Sequence, residues 1–186
     1  MELLENDLVS GSSGRFGKRL IYRRRGDKTI IAGRPLRRKN PNTLLQQAVR
    51  EKFAEGIIYA NGVVAEDETK TVYQAKVQGN QTAYNLAIRD FCKAPKITRC
   101  TIDKYTGQPG DKITIRAVDD FKVESVMLVI KDSADSIIEE GAAILSGNKA
   151  DWIYTATVVN PALTGTKLIV SAADIPGNVT TQEVVL

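Results

Sequence analysis

Basic side chains are concentrated in one short stretch of this 186-residue chain. Between residues 15 and 39, eleven Arg and Lys residues accompany one acid, Asp27, so that eleven positive charges less one negative charge give +10. A guanidinium group forms paired hydrogen bonds with carboxylates and phosphates. We therefore expect this stretch to bind an anionic partner through Arg15, Lys18, Arg19, Arg23, Arg24, Arg25, Lys28, Arg34, Arg37, Arg38 and Lys39.

Three kinds of anionic surface are candidate partners of the basic stretch. Nucleic acid is possible, with Phe16 and Tyr22 available for stacking, but two aromatics are fewer than single-strand binders use and no sequence-reading motif is present. A membrane surface is disfavoured because the charges lie on predicted strands, not on a helix opposite an apolar face. An acidic protein lattice is favoured, because arginine suits desolvated carboxylate pairs and an open hairpin edge can extend a partner's sheet.

The residue types needed for catalysis are poorly represented. The chain contains no His, so neither Cys has an imidazole to activate it. Glu139 and Glu140 are adjacent, and in a strand they point to opposite faces. The segment GQPGDK lacks the spacing of a phosphate-binding loop. We therefore predict that the protein is not an enzyme and needs no cofactor.

Oxygen ligands for a metal occur in two predicted loops. Asp119, Asp120, Asp174 and Asn178 are a possible calcium set, because Ca²⁺ prefers hard oxygen ligands. The alternative is turn chemistry, in which Asp and Asn cap backbone groups and Gly177 permits a tight turn. The turn interpretation is favoured and no metal is predicted. Cys92 and Cys100 are expected to be free thiols.

Outside the basic stretch the chain is neutral or acidic. Residues 1–14 carry −3, residues 40–94 balance six bases against six acids, and residues 95–186 carry −3 from nine bases and twelve acids. The first residues, MELLENDLVSGSSG, are acidic and lack the apolar core of a secretion signal. No window approaches the roughly 18 apolar residues of a membrane span. We expect a protein that is made in the cytoplasm and does not enter a membrane.

The basic residues are predicted to lie on a β-hairpin. Residues 1–17 have the composition of a flexible arm, with SGSSG at its end. The β-prone runs KRLIYRRR and KTIIAG follow, joined by Gly26-Asp27, which suits a tight turn. The hairpin would carry its arginines beside an apolar strip of Leu20, Tyr22, Ile30 and Ile31.

A small helical bundle is predicted next. Thr43 and Gln46 have the spacing of a capping box, and apolar residues then recur at helical spacing at Leu45, Val49, Phe53, Ile57 and Ala60. Asn61-Gly62 is predicted to end this first helix. Two more helices are expected over about residues 66–77 and 81–91.

From Pro95 onward the apolar period changes to two. Strands are predicted at residues 97–102, 112–118, 125–130, 136–142, 152–158, 167–172 and 180–185. About seven short strands at regular spacing indicate an immunoglobulin-like β-sandwich, with Trp152 in its core. The predicted fold is therefore an α+β N-terminal region followed by an all-β sandwich. The domains are an arm (1–17), a basic hairpin with helices (18–94) and the sandwich (95–186).

Two parts of the chain resemble known proteins. The segments AVDDFKVESVMLVI (117–130) and SAADIPGNVTTQEVVL (171–186) resemble bacterial immunoglobulin-like domains of surface proteins and phage virions, in which an Asp-rich loop faces a D-x-x-G-N turn. The segments GKRLIYRRRGDKTIIAGRP, NPNTLLQQAVREKF and AYNLAIRDF are similar to uncharacterised small proteins of Bacteroides-type bacteria and their tailed phages. The resemblance implies a capsid auxiliary, or decoration, protein located in the virion.

The predicted function is therefore structural. The basic region would anchor the chain to a capsid or another acidic lattice, and the sandwich would be displayed outward. A nucleic-acid-binding protein that holds phosphates with the same arginines is the alternative. A surface adhesion module is a third interpretation, and the missing secretion signal argues against it.

Overall fold

The computed structural model describes residues 9–26, 28–35 and 42–186. In these residues the chain forms a three-stranded sheet, three helices and two four-stranded sheets. This arrangement is an α+β fold that contains a β-sandwich, which confirms the prediction of these two features.

The basic stretch forms the small N-terminal sheet. Its strands are β1 (Gly14–Phe16), β2 (Leu20–Arg25) and β3 (Lys28–Gly33), in the order β1-β2-β3 and all antiparallel. The predicted hairpin is confirmed as the β2–β3 pair, with Gly26 at a φ of 61°. Asp27 lies outside the described residues.

Residues 1–17 were predicted to form a flexible arm, but residues 14–16 of this range form strand β1. Residues 14–16 form β1 because Gly17, at a φ of 61°, permits a tight turn back toward β2. The Phe16 ring then packs edge-on against Tyr22, with ring centroids 6.0 Å apart. Residues 1–8 lie outside the described part of the chain.

The three helices are α1 (Leu44–Ala65), α2 (Asp67–Gln74) and α3 (Ala83–Cys92). Thr43 caps α1 as predicted, because its Oγ1 accepts a hydrogen bond of 3.4 Å from the amide of Gln46. The predicted end of α1 at Asn61-Gly62 is wrong. Gly62 keeps a helical conformation, and its carbonyl accepts a 3.2 Å hydrogen bond from the amide of Glu66.

Only the second half of α1 packs against the other helices. At Gly56 the helix backbone comes close to α3, where an added Cβ would lie 3.3 Å from Cδ1 of Phe91. The first half projects beyond this contact, and there Leu45, Val49 and Phe53, which recur at helical spacing, are exposed. The buried core of the helices comprises Ala60, Val63, Tyr73, Ala83, Leu86, Ala87 and Ile88, joined by Phe121.

Two antiparallel sheets form the sandwich. One has the order β11-β10-β6-β7 and the other β4-β5-β9-β8. Side chains alternate between inside and outside, so that both sheets contribute to one core, which includes Trp152 as predicted. The strands are β4 (Lys96–Thr101), β5 (Lys112–Val118), β6 (Val123–Lys131), β7 (Ile137–Ala142), β8 (Ile144–Leu145), β9 (Asp151–Thr155), β10 (Lys167–Asp174) and β11 (Val179–Val185).

The sandwich and the helices share a packed joint. Phe121, in the loop between β5 and β6, stacks on Tyr73 of α2 with ring centroids 4.2 Å apart. The ammonium group of Lys76 lies over the same Phe121 ring, and it donates a short hydrogen bond to the backbone carbonyl of Phe121. Thr180 of β11 donates a 2.6 Å hydrogen bond to the carbonyl of Pro95. The secondary structure thus changes from helices to strands at residue 95, and the helices and the sandwich pack against each other.

Candidate functional site

The register of the N-terminal sheet determines which side chains share a face. Residues directly opposite each other in an antiparallel pair point the same way. Arg23 is opposite Ile30, Arg25 is opposite Lys28, and Arg15 is opposite Ile21. One face, here called the basic face, therefore carries Arg15, Arg23, Arg25 and Lys28.

The other face of the sheet is mainly apolar. It carries Phe16, Leu20, Tyr22 and Ile31, with Arg24 near the hairpin turn. Ile30 was predicted to belong to this strip, but the register places it on the basic face beside Arg23. Strand alternation explains the difference, since Ile30 and Ile31 are neighbours and must point in opposite directions.

The basic side chains of the sheet region are exposed. No ion pair joins any of them to another residue in the described part of the chain. The remaining predicted binding residues, Arg37, Arg38 and Lys39, lie outside the described residues. The exposed set is Arg15, Lys18, Arg19, Arg23, Arg24, Arg25, Lys28 and Arg34.

Neither face of the sheet is covered by a core. Neither hydrophobic core of the described residues includes a side chain from β1, β2 or β3. Phe16 remains 67% exposed and Ile31 49% exposed. The hairpin turn is held by a 3.3 Å hydrogen bond from Nδ2 of Asn80 to the carbonyl of Arg25. The amide of Gly11 also donates a 3.0 Å hydrogen bond to Oγ1 of Thr29 in β3. In the described part of the chain, the sheet is thus held at its turn and no core covers either face.

The first turns of α1 carry a second uncovered apolar surface. Leu45, Val49 and Phe53 recur every four residues and are 80%, 69% and 50% exposed. Such spacing places them on one side of the helix. This apolar stripe begins at Leu45, eleven residues after Arg34, the last described residue of the basic stretch.

A second cluster of functional groups lies at the joint between the helices and the sandwich. Asp90 of α3, Asp119 after β5 and Asp174 at the end of β10 each bring one carboxylate oxygen within 4.8 Å of the others. Asp90 is 1% exposed and Asp174 is 4% exposed. Burial, opposed by the hydrogen bond from Tyr73 and reinforced by the charges of Asp119 and Asp174, raises the pKa of Asp90 to about 7.

The proposed calcium ligands are only partly brought together. Asp119 and Asp174 meet, whereas Asp120 is held by Lys93, whose Nζ lies 2.6 Å from the Asp120 carboxylate. The hydrogen bond from Lys93 lowers the pKa of Asp120. Asn178 lies beside the cluster as a donor, since its Nδ2 is 2.8 Å from Oδ2 of Asp174. The favoured turn interpretation is confirmed for Asp174, whose Oδ1 accepts a 2.7 Å bond from the Asn178 amide.

Asp90 is the cluster member that the sequence analysis missed. It follows Leu86 and Ala87 by four and three residues, which places it on the buried side of α3. A charged residue on the buried side of a helix is unusual and signals a specific partner. That signal was present in the sequence, but the partners, Asp119 after β5 and Asp174 at the end of β10, lie 29 and 84 residues further along the chain.

The adjacent glutamates, the segment GQPGDK and the two cysteines were also considered in the sequence analysis. Glu139 is buried and Glu140 exposed, as their adjacent strand positions predict. In the segment GQPGDK, Oδ2 of Asp111 accepts hydrogen bonds from the amides of Gln108 and Thr106, which close the loop and lower the pKa of Asp111. Cys92 and Cys100 are free thiols.

Among the helices of the described residues, none has the length and apolar character that a membrane crossing requires. Comparison of the chain with protein-family models, with curated proteins and with solved structures found no match.

Proposed function

We propose that this protein is a capsid auxiliary protein that attaches to an acidic protein lattice, such as that of a tailed phage, through its N-terminal sheet. The observation that carries the proposal is a sheet with eight exposed basic side chains, no acidic partners in the described residues and no core on either face. A small sheet of this kind gains stability when its faces are covered.

The geometry of the sheet suits an acidic protein partner. The basic face can place several guanidinium groups opposite carboxylates, where arginine forms paired hydrogen bonds. The opposite face offers Phe16, Tyr22 and Ile31 for apolar contact. The outer edges of β1 and β3 are available for pairing with a strand of the partner. Charge, apolar area and open edges together favour a protein surface over a simple polyanion.

The sandwich would then be the displayed part of the molecule. Its 92 residues, 95–186, carry a net charge of −3, from nine bases and twelve acids. An acidic module is repelled by an acidic lattice and stays in solvent. The immunoglobulin-like character of this sandwich, and its place in the virion, belong to the same proposal and rest on the resemblance of residues 117–130 and 171–186.

Nucleic acid binding is the second candidate, and the basic face favours it. Four basic side chains point from one face of the sheet, and the described residues outside it hold it at its turn. Fluorescence anisotropy of a labelled DNA duplex, titrated at several salt concentrations, tests this function. A log–log salt slope of about −6 or steeper indicates that the basic residues hold phosphates, and a shallow slope rejects that function.

Co-sedimentation with capsids tests the proposed function directly. Capsids of a tailed phage that encodes the chain would be prepared from a strain lacking its gene and mixed with the purified protein. We expect binding that saturates at a fixed ratio of protein to capsid subunit. The double variant Arg23→Glu/Arg25→Glu reverses two charges on the basic face and should weaken binding at least about tenfold, because each charge-assisted contact contributes over 1 kcal/mol.

A matched control separates the basic face from net charge. Lys70→Glu/Lys104→Glu makes the same charge change at two exposed residues outside the sheet, neither of which forms an ion pair among the described residues. This control should bind like the wild type. Equal binding of both variants, or no binding of the folded wild type, would overturn the proposed function.

A further inference from the structure

We propose that Asp90, Asp119 and Asp174 form a binding site for a divalent cation, Ca²⁺, at the joint between the helices and the sandwich. The site is separate from the basic sheet and does not depend on the proposed attachment function. Its ligands come from α3, from the loop after β5 and from the end of β10. A bound cation would therefore connect the two packed parts of the chain.

In the described part of the chain, no basic side chain compensates the negative charge of the cluster. One carboxylate oxygen from each of the three aspartates lies within 4.8 Å of the others, and two of the three side chains are at least 96% buried. No Lys or Arg of the described residues forms an ion pair with any of them. Buried carboxylates are normally paired or coordinate a metal, because removing an isolated charge from water is costly.

The unused oxygens give a second, independent indication of a ligand. Oδ1 of Asp90, on a side chain that is 99% buried, has no hydrogen-bond partner, and neither has the buried Oδ1 of Asp119. Buried polar atoms almost always have a partner. Among the described residues, three buried side-chain oxygens lack a partner: two belong to this cluster, and the third, Oε1 of Glu139, lies in the sandwich. One bound ion would satisfy both oxygens of the cluster.

Both oxygens of Asp174 accept hydrogen bonds from Asn178, whereas Asp90 and Asp119 each have one oxygen held by the protein. Oδ2 of Asp90 accepts a 2.6 Å hydrogen bond from the Tyr73 hydroxyl. Oδ2 of Asp119 accepts 3.0 Å hydrogen bonds from the amides of Phe121 and Lys122. Such bonds orient metal ligands and leave the other oxygen free to coordinate.

The donor set selects the class of metal. Carboxylates without His or thiolate ligands suit hard cations, and Ca²⁺ takes oxygen ligands in flexible geometry. The carbonyls of Asp90 and Phe91 lie beside the cluster, 3.4 and 3.1 Å from Nδ2 of Asn178. The three carboxylates would supply part of the coordination of a bound Ca²⁺.

A shared proton is the competing explanation of the cluster. A proton between Asp90 and Asp119 would also satisfy their two Oδ1 atoms, as it does in carboxylate pairs elsewhere. The Asp90→Asn variant distinguishes the two. Its amide can donate to Asp119 as a protonated carboxyl would, but it removes one charge and one anionic ligand from a cation site.

Thermal unfolding of the full chain tests the site. At pH 7.5, about 5 mM CaCl₂ exceeds the dissociation constants of even weak calcium sites, which are about 10⁻⁴–10⁻³ M. We expect the Tm of the wild type to rise at least about 2 °C above its value in EDTA, because a ligand that binds only the folded state stabilises it. Asp90→Asn should lose this rise. Asp103→Asn, an exposed aspartate at the other end of β5, should keep it.

Terbium luminescence provides a measurement that needs no variant. Tb³⁺ replaces Ca²⁺ at oxygen sites, and Tyr73, whose hydroxyl contacts Asp90, is placed to sensitise its emission. We expect tyrosine-excited terbium emission that added Ca²⁺ displaces. If the wild type shows neither this emission nor a calcium-dependent Tm, the cation site is rejected. A calcium effect that persists unchanged in folded Asp90→Asn also overturns it.

Discussion

Arg116 and Arg23 are both arginines on antiparallel strands, yet their surroundings differ. Nε and Nη2 of Arg116 donate hydrogen bonds of 2.6 and 2.8 Å to the two carboxylate oxygens of Asp151. Arg23 has no acidic partner among the described residues. In the sandwich, a paired arginine stabilises two neighbouring strands. In the N-terminal sheet, the unpaired arginines remain available to a partner.

The Arg116–Asp151 pair predicts a specific acid dependence of stability. Hydrogen bonds from Arg116 and Asn148 lower the pKa of Asp151 to about 2, below its ordinary value near 4. The folded state therefore keeps this carboxylate ionised at lower pH than the unfolded state does. Its contribution to stability is complete above about pH 4 and is lost as the pH falls toward 2. The Asp151→Asn variant should show a smaller decrease in Tm across this range.

The measurement is thermal unfolding of the wild type and the variant from pH 5 to pH 2. The two Tm curves should converge at the acidic end, because the wild type loses the interaction that the variant already lacks. Asp103→Asn removes an exposed aspartate without an ion pair in the described residues and should follow the wild type. Parallel curves for wild type and Asp151→Asn would show that the pair has no pH-linked effect.

At the scale of elements, α1 divides into a packed half and an exposed half. Gly56 lies where the helix touches α3, with Phe91, Cys92 and Ile88 around it. Gly62 lies on the exposed side, where an added Cβ meets no atom within 4 Å. Both glycines are in the same helix. The same substitution at each position therefore separates the effect of packing on the free energy of unfolding from the effect of helix propensity.

The Gly56→Val variant should destabilise the helical core. Its two added methyl groups overlap Phe91 and Ile88 at a helix contact that is already close, and overpacking of this kind costs about 1–3 kcal/mol. Gly62→Val should be neutral or slightly stabilising, since valine has a better helix propensity than glycine. Chemical denaturation of the two variants measures the free energies of unfolding. Similar values for both would mean that α1 and α3 do not pack as described.

The N-terminal sheet is the other element with a testable property. Neither core of the described residues includes its side chains, so the folded state of the rest of the chain should not depend on it. A chain that begins at residue 42 should unfold with a Tm within about 2 °C of the full chain, because surface changes away from packed residues have small effects. A large decrease in Tm would show that the sheet stabilises the rest of the chain, which would contradict its description as an uncovered surface.

At the scale of the whole molecule, apolar alternation predicted the sandwich strands well and helical spacing predicted the helices. Strand β5 was predicted over the residues that form it, because Ile113, Ile115 and Ala117 alternate with outward positions. The two-residue strand β8 is too short to show a period. The exposure of Leu45 and Val49 was not predictable either, since an apolar helix face has the same sequence pattern whether or not a neighbour covers it.

The candidate sites were predictable to different degrees. The basic residues follow from composition alone, whereas their division between two faces depends on the register of β2 and β3. The carboxylate cluster needed tertiary structure, because Asp90 and Asp174 are far apart in the chain and meet only when the helices pack on the sandwich. Long-range contacts of this kind leave no local pattern.

The central claim is that the N-terminal sheet is uncovered in the free protein and is covered when the protein binds capsids. Hydrogen–deuterium exchange tests this claim most directly, with the full chain measured free and bound. In the free protein, amides of residues 14–33 should exchange much faster than those of β6 and β10, which lie in the packed core. Binding should slow exchange in residues 14–33 and leave β6 and β10 unchanged. Protection that appears only in the sandwich, with the sheet unaffected, would contradict the assignment of the sheet as the attachment surface.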